Sequence, residues 1–307
     1  MTKTAVQKAV SFAPSSDRVN HALQRFSGRT VFDAAEMATR HRIMVDHFEA
    51  VRAAGLTGDD DRLRPGCTVL EVGTGWHPAV PVLFWLCGAQ RVVCLDHVDH
   101  GAMVRLDETV PVVLAHLDAD ASLPLVPERV AALRGARTAA DLASVCDFER
   151  RVGGIESVDD LSPFDVVTSS LVLEHVPAGE LGPLVRGCFD RLSPDGVMSH
   201  GIDLCDHGHY TDPAGVSQFN FLRFPPRVWR MLSNPIQHEN RLRASEYLAA
   251  FGEAGVPFAV RNSTDGDRSQ LSRLRLAEPY RDFDLDDLVV IYLQLVSHAG
   301  TGPDRSQ

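Results

Sequence analysis

The chain has 307 residues, enough for one large domain or two small ones with a sizeable core. Hydrophobic residues make up 44% and charged residues 23%, which argues against wholesale disorder; acids outnumber bases 41 to 30, for a formal charge of −11. A surface that negative repels phosphate backbones and counts against a general nucleic-acid binder. No apolar run reaches the roughly 18 residues of a membrane helix, and the first residues lack the apolar stretch of a signal peptide. The six cysteines (67, 87, 94, 146, 188 and 205) form no CxxC pair and sit mostly in apolar runs, which reads as reduced, buried thiols in a cytoplasmic protein.

Residues 1 to about 17 are polar and read as a loose tail. From Asp17 to Ala54 apolar residues recur at helical spacing (Phe26, Phe32, Met37, Ile43, Met44, Phe48, Val51), predicting two or three helices closed by Gly55. The texture then changes. Thr68 to Val72 is a short apolar run ended by Gly73 and Gly75, Pro78 to Gly88 reads as a helix, and Arg91 to Leu95 is a second run ended by Asp96. Strand, glycine turn, helix, strand is a βαβ unit and implies a parallel sheet. Residues 100 to 150 read as mostly helical, and Arg150 to Ile155 as a weakly marked third strand.

Phe164 to Ser169 is a clear fourth strand, Glu180 to Leu192 an amphipathic helix, Ser193 to Gly196 a turn and Val197 to Leu204 a fifth strand. Residues 206 to 243, rich in aromatic, Pro, His and Arg residues, read as an insertion over the sheet. Ser245 to Gly255 reads as a helix capped by Ser245. Phe258 to Arg261 and Leu288 to Val296 read as two further strands, with a polar surface stretch from Asp265 to Asp287 between them.

The chemistry concentrates first in Glu71-Val-Gly-Thr-Gly75. Gly73 and Gly75 let the chain turn sharply off a strand, and the helix that follows offers free amides to a ligand. A nicotinamide fingerprint needs a third glycine where this chain has Pro78. Glu71, two residues before the first glycine, suits a ligand with a cationic part, as S-adenosylmethionine (SAM) has in its sulfonium and ammonium groups. Asp96 ends the second strand, where a carboxylate accepts from ribose hydroxyls.

With Phe164-Asp-Val-Val-Thr-Ser-Ser-Leu-Val-Leu-Glu-His-Val176 and Leu192-Ser-Pro-Asp-Gly196, these stretches follow in order, each at the end of its element. Together they resemble the class I SAM-dependent methyltransferase family over about Cys67 to Gly255. The resemblance implies a Rossmann-like α/β sheet, mostly parallel with an antiparallel last strand. It would comprise an N-terminal helical lid (1–60) and a SAM-binding domain (61–307), with the 206–243 insertion over the substrate site. It also implies roles for individual residues. Backbone at Gly73, Thr74 and Gly75 holds the methionine end with Glu71 nearby, Asp96 binds ribose, and His97 lines the adenine. Asp159 is a candidate for the adenine amino group, and Ser169 and Ser170 face the methyl group. Trp76 and His77 shape the pocket mouth.

Methyl transfer needs an aligned acceptor and, for a hydroxyl or amine, a base. His207 and His209, beside Asp203 and Asp206, follow the fifth strand, and His175 follows the fourth; all three are candidate bases. The Asp203, Asp206, His207, His209 set also has metal-ligand types, but no second cluster supports it and the expectation is no metal. Tyr210, Phe219, Phe221, Trp229 and Arg241 are candidates to hold a ring-bearing acceptor, the aromatics alternatively forming a small core of the insertion and Arg241 a structural ion pair. The expected function is methylation of a small, ring-bearing specialised metabolite, at oxygen ahead of nitrogen or carbon, with a homodimer left open. The other class of reading is a non-catalytic SAM-binding regulatory subunit.

Overall fold

No glycine or proline interrupts residues 34 to 53, and the computed structural model shows them as one 20-residue helix, α1 (Ala34–Ala53). Asp33 caps it, its carboxylate accepting from the backbone N–H groups of Ala35 and Glu36. The structure describes residues 32–99, 105–232 and 238–300; the expected tail and any helix before residue 32, Phe26 included, lie outside them. After α1 come β1 (Thr68–Val72), α2 (Ala79–Leu86), β2 (Arg91–Asp96), α3 (Leu106–Leu117), α4 (Pro127–Gly135) and α5 (Ala139–Cys146). Then follow β3 (Glu149–Val152), β4 (Phe164–Ser170), α6 (Ala178–Asp190), β5 (Leu192–Asp203), α7 (His207–Thr211), α8 (Pro226–Leu232) and α9 (Ala244–Glu253). The chain closes with β6 (Ala259–Asp265), α10 (Arg268–Ser272), α11 (Leu285–Leu288) and β7 (Val290–His298).

The strands form one seven-stranded sheet in the order β3-β2-β1-β4-β5-β7-β6. All the pairs from β3 to β5 are parallel, and β7 runs antiparallel to both β5 and β6. The fold is thus the expected α/β sheet with an antiparallel closing strand. Its inner strands are near-continuous apolar runs because helices cover both faces. The strand order reverses between β1 and β4, which opens a crevice at their carboxyl ends. The Ser193–Gly196 turn is looped out inside β5: Phe164 pairs with Leu192, yet Val166 pairs with Val197.

α1 belongs to the sandwich. Met37, Ile43, Met44, Phe48 and Val51 are buried in it, and Asp46 accepts from Asn262 of β6 and Tyr292 of β7. The described part of the segment read as a lid is therefore a packed layer over β4 and β5. His47 of α1 bridges the hydroxyls of Ser199 (2.8 Å) and Ser170 (3.1 Å), and His200 pairs with Ser169 (2.7 Å). Burial pulls both imidazoles down to about 3, so both are neutral. The unfolded chain binds protons at these rings below their ordinary value while the fold does not, so stability is full above about pH 6.5 and lost below it. Each ring is expected to remove roughly 2 kcal/mol between pH 6.5 and 5. Urea unfolding of His47→Gln against the native chain checks this: the variant should lose about 2 kcal/mol less than the native chain between pH 6.5 and 5, and an identical loss in the two would contradict it.

Three elements depart from the sequence reading. The closing helix begins one residue early, and its N-cap position is Arg243; Ser245 instead donates from its N–H and hydroxyl to Asp287 (2.8 and 2.6 Å). The last strand starts at Val290, because Asp284 caps the short helix α11 over Leu285–Leu288. β6 extends to Asp265 as an exposed edge strand. All six cysteines are buried thiols.

Candidate active site

The glycine turn after β1 is left-handed at both glycines, with φ of +77° at Gly73 and +67° at Gly75. Gly73 has a second constraint: a Cβ there would stand 2.5 Å from a methyl of Val172. Asp96 ties the turn to the end of β2. One of its oxygens accepts from Gly75 N–H (2.9 Å) and the other from Val98 N–H (3.3 Å). Beside this knot lies a mainly apolar cleft of about 460 Å³, bordered by Gly73, Asp96, His97, Gly153, Gly154 and Val172 among others, a volume typical of small-molecule sites. Glu71 lies beneath the turn on β1, 3% exposed, and its Oε2 has no hydrogen-bond partner. Burial pushes its carboxyl up to about 7.

A second centre forms where β4 and β5 end. Asp203 accepts from the Tyr210 hydroxyl (2.9 Å) and stands 3.2 Å from His207 Nε2, while His207 Nδ1 is 3.5 Å from Glu239. Burial alone would pull His207 down, but the Asp203 hydrogen bond and the Glu239 and Asp203 charges push it up to about 9. It therefore holds its proton at neutral pH, as a charged partner of these carboxylates and not as the expected base. Burial holds His175 down at about 4, and its Nδ1 bonds the carbonyl of His238 (2.6 Å). Glu174, buried beside them, has a carboxyl pushed up by burial and by Asp203. His175 borders the large cleft; Asp203 and Tyr210 border a second cleft of about 220 Å³ with Thr39, Arg42 and Tyr292.

Other expected site residues sit elsewhere. Ser169 and Ser170 are buried, their hydroxyls taken by His200 and His47, because the strand end lies beneath α1 and α9. Asp159 is exposed and pairs with Arg191; Gly153, Gly154 and Ile155 occupy the wall expected of it. His97 is at the cleft rim, largely exposed, with Nδ1 3.3 Å from Asp96. His77 stacks on Phe32 (centroids 5.0 Å) and bonds Thr109, and Trp76 gives its carbonyl to Arg105 N–H, so both brace the turn. His209 bonds the Val216 carbonyl within its own loop.

The aromatics of the insertion form a third small core. Phe219 and Phe221 are buried with Leu271 and Tyr280, drawn from the stretch read as polar surface, and with Leu288, read as the start of the last strand. Trp229 packs on this core and donates to the Glu239 carbonyl. Arg241 donates to the carbonyls of Phe221 and Phe224 and lies 4.8 Å over the Trp229 ring. These four residues hold the insertion together instead of lining an acceptor pocket. Sequence reasoning missed Glu174 and Glu239; the only signal was an acid inside the apolar Leu171–Val176 stretch.

No protein-family model matches the chain, and no curated protein matches it in sequence. Solved structures similar to it include the 1,6-didemethyltoxoflavin N1-methyltransferase of Burkholderia thailandensis, solved with its substrate and S-adenosylhomocysteine (14% identity, 97% of this chain and 91% of that one, TM-score 0.48). The N-terminal domain of EvdMO1, solved with S-adenosylhomocysteine and D-fucose, is another (13%, 84% of each chain, TM-score 0.43). A third is a SAM-dependent methyltransferase of Mesorhizobium loti (19%, 81% of this chain and 96% of that one, TM-score 0.40). Among the described residues no helix is long and apolar enough to cross a membrane.

Proposed function

We propose that the chain is a SAM-dependent methyltransferase acting on a small acceptor, at oxygen ahead of nitrogen or carbon. The observation that carries this is Asp96. Its carboxylate ends β2, next to the β1 strand that flanks the strand-order reversal, holds the left-handed glycine turn, and borders a cleft of nucleoside size. A ribose there meets a carboxylate, and Glu71 supplies the anionic partner for the ligand's cationic end. The second cleft receives the acceptor, with Arg42, Asp203 and Tyr210 as its polar groups. An acceptor lone pair then bonds to the methyl carbon as the carbon–sulfur bond breaks, releasing S-adenosylhomocysteine, and Asp203 offers a carboxylate for the departing proton. The Asp203 carboxylate and Tyr210 hydroxyl at this cleft favour a hydroxyl acceptor, and Phe219 and Phe221, the aromatics expected to hold a ring for carbon methylation, belong to the core of the insertion.

The test is incubation with methyl-labelled SAM and a panel of phenols, amines and electron-rich rings. Label on one acceptor oxygen, with stoichiometric S-adenosylhomocysteine, supports the reading; a bound cofactor with no transfer to any class contradicts it. A pH titration probes Glu71. Its carboxyl ionises near 7, and only the ionised form attracts an ammonium group. Affinity for S-adenosylhomocysteine should therefore rise about tenfold from pH 6 to 8 and stay flat in Glu71→Gln.

A further inference from the structure

Four acids (Glu174, Asp203, Asp206 and Glu239) crowd a buried region that holds His207 and adjoins His175. We propose that Glu174, His175 and His207 form a binding site for one divalent transition cation of the zinc type. The inference goes beyond the methyltransferase reading and does not depend on it.

The geometry supports it at each residue. One ligand atom from each of the three lies within 4.8 Å of the others. Glu174 is 5% exposed at its side chain, yet neither carboxylate oxygen has a hydrogen-bond partner. A buried carboxyl group with both oxygens unpartnered is costly in either protonation state, and native folds avoid it unless something else satisfies the group. Glu174 borders a void of about 10 Å³ that Asp203, His207 and Glu239 also border; such a volume holds about one water molecule or ion.

The two imidazoles are prepared in the way metal-bound histidines are. His175 gives its Nδ1 hydrogen to the His238 carbonyl (2.6 Å), which leaves the Nε2 lone pair facing Glu174 Oε1, 4.0 Å away. His207 has Asp203 at one ring nitrogen and Glu239 near the other; an ion would take the place of the proton on one nitrogen while a carboxylate holds the N–H of the opposite one. The frame is pinned as well. Asn240 donates from its backbone to the Glu174 carbonyl (2.8 Å) and from its side chain to those of Leu173 and Val176 (2.8 and 2.9 Å).

Two imidazoles and one carboxylate suit zinc and its neighbours better than magnesium or calcium, which prefer all-oxygen sets. Bonds of about 2 Å would draw the three atoms inward and leave a fourth position open. The site lies between the two clefts, since His175 borders one and Asp203 the other. Another grouping, His41, His116 and Asp120, lies nearer the surface, with its carboxylate side chain 43% exposed, and serves as a control.

The test is calorimetric titration of the chelator-stripped full chain with Zn²⁺, together with the visible spectrum of its Co²⁺ form. The expected result is one ion per chain at micromolar affinity or tighter and a tetrahedral Co²⁺ spectrum. Glu174→Gln and His207→Asn should each weaken binding about 100-fold or more, while His116→Asn leaves it unchanged. The Co²⁺ spectrum of the native chain reads the site without any variant, so a variant that fails to fold does not spare the proposal. Binding weaker than about 100 µM in the native chain, or binding lost in His116→Asn and retained in Glu174→Gln, would overturn it.

Discussion

Replacing Arg243 with methionine is expected to cost about 3–5 kcal/mol of stability. This side chain is fully buried and hydrogen-bonds to main chain. Its guanidinium donates to the carbonyls of Leu204 (2.9 Å), Leu288 (3.0 Å) and Val290. It thus joins the segment leaving β5, the end of α11 and the start of β7 at one point, with the Phe221 ring 5.8 Å away. Methionine fills much of the volume but leaves three buried carbonyls without donors, and unmade buried bonds are the expensive kind. The contrast is Arg186→Met, which breaks the surface pair with Asp190 and should cost less than about 1 kcal/mol. Urea unfolding of both variants checks the pair of values. Equal costs would mean that Arg243 is not the staple described.

Asp96→Ala is expected to weaken S-adenosylhomocysteine binding about 100-fold. Two charge-assisted hydrogen bonds to ribose, at about 1.5–3 kcal/mol each, exceed that factor, and water entering the site returns part of the cost. The variant also frees the Gly75 N–H that Asp96 now holds, so the turn loosens. Asp96→Asn keeps one acceptor oxygen for Gly75 N–H but loses the charge and the second acceptor that meets Val98 N–H, so it should fall between the native chain and Asp96→Ala. Calorimetry at one pH reads all three, with thermal melts to show that each folds. Native affinity in Asp96→Ala would place the ribose elsewhere.

The strands that carry the cofactor cleft were legible in the sequence because each is an apolar run broken by a glycine or an acid: Thr68–Val72 before Gly73, Arg91–Leu95 before Asp96, Phe164–Ser169 before the polar strand end. β6 was only half legible, because an exposed edge strand has no apolar period to read. Residue roles were harder. Ser169 and Ser170 stand at the right strand end, but His200 and His47 arrive from distant segments to claim their hydroxyls. The aromatics near Phe219 look alike in sequence whether they line a pocket or fill a core, and Leu271, Tyr280 and Leu288 decided for the core. Glu174 and Glu239 carry no spacing signal, since their meaning depends on burial beside His207.

The central claim is that the cleft beside Gly73 and Asp96 binds an adenosyl amino-acid cofactor. Calorimetric titration of the native chain with S-adenosylhomocysteine, with NADH as the control, tests it most directly. Micromolar binding of S-adenosylhomocysteine at one site per chain, and none of NADH, is the predicted result. Binding of NADH alone, or of neither compound in the presence of acceptor candidates, would contradict it.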